Sequence, residues 1–511
     1  MTNEYEDLDM YVDQAAAEMD IHRPGEVDFE QYSAVYNERF TNCPALVVMC
    51  SEISHIQFWV CVANKLRHYP IQVRSGGHHH EAMCVEKGAI TLDLSRMPNE
   101  IEFEDNKNFA WIPSARRLGS VVDDLMCEQK MLPVGGCETV NVGGLTHGGG
   151  WGASYRKYGL TADMLDRVEM VLTNGQPVIV GKNGWIDCEP GDGIDGDGEE
   201  LFWALRGGGG GNFGIVTRFR FRMTAIEPMC GFTLHFDKAD RAKVVRKWID
   251  LCNSGDDGLT SFCRLTVVNS DEYNRNNPAV IIGGRFYGDE DGCIAELANL
   301  LSDPEPKCKI FNPSKISRAM FLLNESSDLE FADGTSMPPR AYALNIGAYT
   351  TGTCTNYKED VIPQPHKVSS MFPTDDGSKA IEVIDCVMGN KMSENGAAYI
   401  SLHGMGGRNA KETGEDTAFS WRDCDFMMQI QAWWKCDTED GTEYLDWVEN
   451  FRKQLVNHPD GGVTGAFVNF PDDKNKVSDF YSDGDYCRLL AAKKAYDPNK
   501  VMRFRLGLVG R

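Results

Sequence analysis

An α+β fold in two lobes is expected from three features of this 511-residue chain. Its length exceeds what one hydrophobic core serves and suggests two or three packed units. Strand-like and helix-like segments alternate through the first half. Beyond about residue 226, short strands recur between amphipathic helices, the order of an antiparallel sheet backed by helices on one face.

ALVVMC (45–50) is a short apolar run of strand type. It leads into SEISHIQFWVCVANKLRHY, whose apolar residues recur at three and four, the helical period. IQVRSGGHHH reads as a strand entering a glycine turn, and GAITLDLSRM as another strand. RLGSVVDDLMCEQ is helical and opens into a glycine-rich stretch from Val134 to Gly152. DRVEMVLTNG and QPVIVG form an expected hairpin around Asn174-Gly175, a strong turn dipeptide. DCEPGDGIDGDGEE resembles a calcium loop only in composition. Position one would be Gly193 and the closing position Ala204, neither of which supplies a carboxylate, so it reads as a solvated insertion. A helix (ELFWALR), a glycine run and an alternating strand (IVTRFRF) follow.

In the second half FTLHF, SFCRLTVV, AVIIGGRFYG, AYALNIGAYT, AAYISLHGMG and FMMQIQAWW read as strands. RAKVVRKWIDLC and GCIAELANLL read as the helices behind them, and SDGDYCRLLAAKKAY as a C-terminal helix stopping near Asp497-Pro498.

Hydrophobic residues make up 42% and charged residues 25%, the balance of a globular protein. No run approaches the roughly 18–20 apolar residues that span a bilayer. The acidic N-terminus lacks an apolar signal-peptide core, so a cytoplasmic location is expected, with secretion left open if a leader has been trimmed. A formal charge of −25 repels phosphate polyanions and argues against nucleic acid as a partner. The seventeen cysteines include no CxxC pair, so no metal site is expected.

Three glycine-rich segments, VRSGGH, GGCETVNVGGLTHGGGWG and RGGGGGNFG, bring main chain close to a large flat charged ligand. Backbone N–H groups converge on anions where no Cβ obstructs them. Gly209, Gly211 and Gly214 satisfy G-x-G-x-x-G, but a helix precedes them and a strand follows, the reverse of a Rossmann turn.

Read together with GAITLDLSRM, LPVGGCETVNVGGLTHGGGWGASYRKYGLTADML, AFVNFPD and YDPNKVMRF, these segments resemble the berberine-bridge-enzyme-like branch of the vanillyl-alcohol-oxidase superfamily. The resemblance runs from about residue 40 to 225 and returns near the C-terminus. It implies a PCMH-type FAD-binding fold with an inserted substrate domain. The FAD-binding domain would span 1–225 in two subdomains (1–100 and 101–225), the substrate domain 226–445, and the returning segment 446–511. It also implies covalent FAD, with His78 joined to the flavin 8α carbon and Cys137 to C6. Arg74, Ser75, Gly76 and Gly77 would line the pyrophosphate. Val140, Val142, Gly143, Gly144, Gly148 and Gly152 would flank the cofactor, with Asn212, Gly214, Ile215, Val216 and Asn469. A neutral imidazole and a thiolate are both competent nucleophiles toward an electrophilic ring.

Val140 stands where the family has a gate residue, and valine there resembles members that react readily with dioxygen. The implied activity is oxidation of a hydroxyl or hemiacetal group on a sugar-like or natural-product substrate, with O2 reduced to H2O2. The alternatives are an oxidative cyclase or desaturase of secondary metabolism, or a flavin-binding protein without turnover. The partners expected are a small-molecule substrate and O2, on a monomer or homodimer. Departures from the family bear on the base. Its Y-x-N-Y segment reads Phe467-Val468-Asn469-Phe470, and neither phenylalanine accepts a proton. Candidate replacements on cleft-facing strands are His403, Tyr399, Tyr342 and Asp425, with His403 foremost because imidazole titrates in the working range. His79 and His80 are assigned to packing or to support of the residues that touch the cofactor.

Overall fold

The computed structural model describes residues 4–186, 188, 190–268, 272–274, 278–313, 363–374, 384, 396–408, 416–434, 441–457 and 462–509. Tyr342 and the expected strand 341–350 lie outside them. Three sheets organise the molecule.

The first has the order β1-β2-β4-β3, from Asp20–His22, Leu46–Met49, Ile71–Arg74 (β3) and Ile90–Asp93 (β4). β2, β4 and β3 run parallel, and β1 closes the edge antiparallel. LVVM and ITLD are buried along their whole length, which explains runs without polar alternation. The helix Ile53–Leu66 covers this sheet with Ile56, Trp59 and Val60. The C-terminal segment returns here, since Ile71 N–H donates to Val501 O at 2.8 Å.

The second sheet is antiparallel, order β10-β9-β8-β11-β6-β5. It joins Glu102–Phe103 (β5), Phe109–Pro113 (β6), Leu165–Leu172 (β8), Pro177–Gly181 (β9), Gly184–Ile186 (β10) and Gly214–Arg222 (β11). The β8–β9 hairpin turns at Asn174-Gly175 as the dipeptide predicts, with Gly175 at φ +87°. Val168, Met170, Phe219 and Phe221 pack under the helices Leu118–Cys127 and Gly198–Ala204 and the C-terminal helix Asp483–Tyr496. Asp197 caps the second of these, accepting from Glu200 N–H at 2.8 Å. A short ladder pairs Lys130–Met131 (β7) with Thr224–Ala225 (β12).

The third sheet has eight strands in the order β16-β13-β15-β14-β18-β19-β17-β20. They are Cys230–Phe236 (β13), Leu259–Thr266 (β14), Val280–Phe286 (β15), Cys308–Pro313 (β16), His366–Pro373 (β17), Gly396–Gly404 (β18), Phe426–Trp434 (β19) and Val463–Thr464 (β20). One face is apolar. Leu234, Ile282, Cys263, Leu402, Met428 and Ile430 meet Val244, Val245 and Trp248 of the helix Arg241–Ser254 and Tyr444, Val448 and Phe451 of the helix Thr442–Val456. The register puts Arg264, Ser401 and Gln429 side by side on the opposite face, with Thr266, Tyr399 and Gln431 in the next row. That face is polar yet buried, and Tyr399 on it packs against Tyr36 from the N-terminal part of the chain. The stretch expected as one helix in GCIAELANLL is two short ones, Glu290–Glu296 and Ala298–Ser302, broken at the fully buried Leu297.

Polar clamps fix the third sheet to the rest. The Arg156 guanidinium donates to the carbonyls of Cys252, Met405 and Gly255. Arg422 grips Asp163 with two nitrogens at 2.7 and 3.1 Å. Close main-chain packing leads to one prediction here. A Cβ on Gly152 would lie 1.9 Å from Val134 O, an atom of main chain that side-chain rotation cannot move. Gly152→Ala is expected to destabilise the protein by about 1–3 kcal/mol, the usual range for overpacking. Chemical denaturation checks it, and an unchanged midpoint would refute it.

Candidate active site

β3 ends at Arg74, and the chain turns through Ser75-Gly76-Gly77, with Gly77 at φ +72°, a conformation L side chains resist. The turn delivers His78, His79 and His80 to the wall of a cavity with about 1430 Å³ of empty space, mouth included. The other walls come from the helix Val142–His147, the glycine run 209–212 with Gly214, and the loop from Val468 to Pro471.

His78 stacks on Tyr36, ring centroids 4.1 Å apart and planes 23° from parallel. The main chain of Thr139 is a hydrogen-bond partner of its ring, and burial is the larger influence, holding the imidazole neutral with a pKa of about 3. The Cys137 Sγ lies 3.5 Å from the hydroxyl of that same Thr139. Burial raises the Cys137 thiol, so it rests protonated and not as the thiolate expected from sequence. Tyr36 has Cys137 and Tyr399 as electrostatic neighbours, which sets both candidate tether residues around one phenol ring.

A chain of three groups fixes the tautomer of His80. His366 Nδ1 is 2.9 Å from Gln364 O, which can only accept, so Nδ1 carries the proton. His366 Nε2 is then bare and accepts from His80 Nδ1, 2.9 Å away. His80 is left with a bare Nε2. His366 also stacks on Trp433 at 4.0 Å. His79 and His80 both line the cavity.

His403 sits on β18 behind the cavity, between Trp151 (4.4 Å) and Phe470 (6.1 Å). Its Nε2 meets Gln429 Oε1 at 3.0 Å, while Nδ1 is buried without a hydrogen-bond partner. Burial lowers its pKa to about 4. Tyr399 lies beneath the Arg264 guanidinium, 4.7 Å from its ring centre. Asp425 stands before β19, where Cys252 and Cys424 are among the groups its charge reaches.

Among the expected cofactor residues, Ser75, Gly76, Gly77, Val140, Gly143, Gly144, Asn212, Gly214, Val216 and Asn469 line the cavity. Five others do not. The Arg74 guanidinium is taken by Asp93 and by Ala34 O, a buried ion pair turned away from the ligand. Val142 and Ile215 are fully buried in hydrophobic clusters. Gly152 makes room for Val134 O, and Gly148 for Asn469, whose Oδ1 would be 1.8 Å from an added Cβ. Sequence reasoning missed Tyr36 and His366, which no local motif marks.

A family model described as FAD binding domain matches residues 44–181, and one described as berberine and berberine like matches 466–508. An uncharacterised FAD-linked oxidoreductase of Bacillus subtilis, YgaK, is 26% identical over 92% of this chain and 93% of its own length. Monolignol oxidoreductase AtBBE-like 13 of Arabidopsis thaliana is 24% identical over 88% and 81%. The chain thus carries the FAD-binding and berberine-like regions that mark berberine-bridge-enzyme-like, FAD-linked oxidoreductases.

Solved structures show the same fold for this FAD-linked oxidoreductase. BBE-like 1 of Physcomitrella patens superposes with a TM-score of 0.78 at 21% identity over 100% of both chains. Glucooligosaccharide oxidase from Acremonium strictum, described as carrying a 6-S-cysteinyl, 8α-N1-histidyl FAD, gives 0.76 at 20% identity over 97% and 98%. The residues present fit FAD. Asn141 donates to Ser75 O and Ala115 O, yet its Oδ1 is a buried acceptor with no partner. A Cβ on Gly144 would meet no protein atom within 4 Å and would stand in the cavity. No helix among the described residues is long and apolar enough to cross a membrane.

The histidines whose pKa desolvation lowers have a measurable consequence. Burial depresses His78 and His80 to about 3, and His79, His147 and His403 to about 4, against 6.5 when unfolded. Between those values the unfolded chain binds protons that the folded protein refuses. Their contribution is therefore full above pH 6.5 and lost as the pH falls toward 4. Thermal unfolding scans should show the midpoint dropping across that window; a midpoint flat from pH 7 to 4 would contradict this.

Proposed function

We propose that the chain is an FAD-dependent oxidase that holds its flavin through His78 and Cys137. It removes two electrons from a hydroxyl or hemiacetal group of a sugar-like or natural-product substrate and passes them to dioxygen, giving hydrogen peroxide. The observation that carries this reading is the neutral His78 imidazole in the cavity wall, with Cys137 beside the same Thr139. The cysteinyl, histidyl FAD of the Acremonium strictum oxidase supports it. Bound flavin would supply the hydride acceptor.

The chain's own residues supply the rest. Ser75, Gly76, Gly77, Gly143 and Gly144 would bind the cofactor's polar backbone, and Asn141, Asn212 and Asn469 would orient it. His80 and His403 are the two proton acceptors. His80 is favoured because its bare nitrogen belongs to the cavity wall, whereas His403 stands behind Phe470 and Trp151. Tyr399 would bind substrate from the sheet above. A second reading, an oxidative cyclase or desaturase acting on an aromatic natural product, is favoured by Phe470 in the cavity wall, backed by the buried aromatic cluster of Phe467 and Trp151.

Peroxide release separates these readings, using cellobiose, coniferyl alcohol and a tertiary benzylamine as probes. Peroxide from either of the first two supports the oxidase. Peroxide from the amine alone supports the second reading. Fully flavinylated protein that is neither bleached anaerobically nor yields peroxide with any probe would overturn both.

A further inference from the structure

We propose that Tyr36 is the positioning residue for the bond between His78 and the flavin: its ring holds the imidazole plane in the attitude that bond requires. The proposal rests on the reading that His78 is a tether. Tyr36 precedes the segment matched by the FAD-binding family model, which starts at residue 44.

His78 follows two glycines, and nothing in that turn itself would fix its ring. Tyr36 does so from across the fold. Its ring lies on the imidazole at 4.1 Å, and it is backed by His366 at 5.9 Å and Trp433 at 6.3 Å. The phenol ring is 7% exposed, so it has no room to swing away.

Main chain ties the pair together. Tyr36 N–H donates to Gly77 O at 3.0 Å, and Gln364 N–H donates to Tyr36 O at 3.3 Å. Next to it, Asn37 Nδ2 donates to His80 O (2.6 Å) and His366 O (3.0 Å), and Asn37 Oδ1 accepts from His366 N–H (3.1 Å). Residues 36–37 thus lock the histidine turn to β17.

The other constraint on the ring is the Thr139 main chain, whose carbonyl can only accept. That contact fixes the proton on one nitrogen and leaves the other bare, as a nucleophile must be. In the attachment one N–C bond forms from the bare nitrogen to the 8α carbon. One C–H bond of that methyl group and the imidazole N–H break. The two protons and two electrons released reduce dioxygen to hydrogen peroxide. Such a bond forms at a useful rate only when the reacting atoms are held in line, and a displacement of about 1 Å can cost 100-fold.

The test follows covalent incorporation of added FAD into flavin-free protein, measured by mass on the His78 peptide. A Cys137→Ala background leaves His78 as the single tether. Tyr36→Phe, which keeps the stacked ring, should incorporate flavin at close to the background rate. Tyr36→Leu, which keeps apolar bulk without the flat face, should slow it at least tenfold. With Cys137 present, Tyr36→Leu should still bind flavin at cysteine, which separates positioning of His78 from general damage to the fold. Equal rates for Tyr36→Leu and its background, or parallel loss at both tethers, would overturn the proposal. Absence of flavin on His78 in the Cys137→Ala background itself would instead refute the tether reading on which it rests.

Discussion

Replacing Lys367 with methionine should cost about 3–5 kcal/mol of stability, the range for removing one partner of a buried ion pair. Lys367 is fully buried, and its Nζ lies 3.0 Å from Glu81 Oε1, 2.7 Å from Asp472 Oδ1 and 2.5 Å from Asp473 Oδ1. Burial alone would discharge the ammonium, but Asp472 and Glu81 outweigh it and raise the lysine's pKa. Methionine has nearly the same volume, so packing survives while the charge is lost. Three carboxyl groups within 4.8 Å of one another would then face each other with Arg39, Arg452 and Lys474 near. They would have to take up protons or move apart, and either costs folding energy. The cluster also joins β17 to Glu81, next to the histidine turn, so loosening it should disturb the cavity. Denaturant titration at matched flavin content decides the point, and a loss below 1 kcal/mol would show that the carboxyl groups find compensation elsewhere.

The second large effect is expected at His80. His80→Ala should lower the rate at which the active substrate probe bleaches the flavin roughly 10²–10⁴-fold, the usual value of a positioned base. Covalent flavin content should stay unchanged. The reason is the hydrogen-bond chain from Gln364 O through His366 to His80, which aims a lone pair and not an N–H into the cavity. His366→Ala should reproduce part of the loss, because His80 could then adopt the other tautomer. Stopped-flow reduction under anaerobic conditions measures this directly. A larger loss in His403→Ala than in His80→Ala would return the role to the strand histidine.

The sequence was legible where function is written in contiguous residues. VRSGGH and the glycines 209–211 contribute to the cavity walls because only glycine lets main chain approach so closely. FMMQIQAWW was legible as a strand, and it forms β19. What could not be read depends on distant packing. Tyr36 meets His78 across 42 positions, and His366 meets His80 across 286. Neither has a local pattern that predicts contact. Arg74 was placed at the pyrophosphate by the resemblance, whereas its guanidinium pairs with Asp93 on the adjacent strand β4, an internal contact that no local motif marks. Gly148 and Gly152 were misread for a related reason, since glycine serves internal packing as readily as a ligand. The protonation state of Cys137 depends on burial, which composition does not reveal.

Intact mass spectrometry of the denatured protein tests the central claim, covalent attachment at two residues. After expression in a host able to make FAD, the wild-type chain should carry one FAD mass. Each single variant, His78→Ala and Cys137→Ala, should keep it, and the double variant should lose it. A wild-type chain at its bare polypeptide mass would contradict the account, as would flavin retained in the double variant.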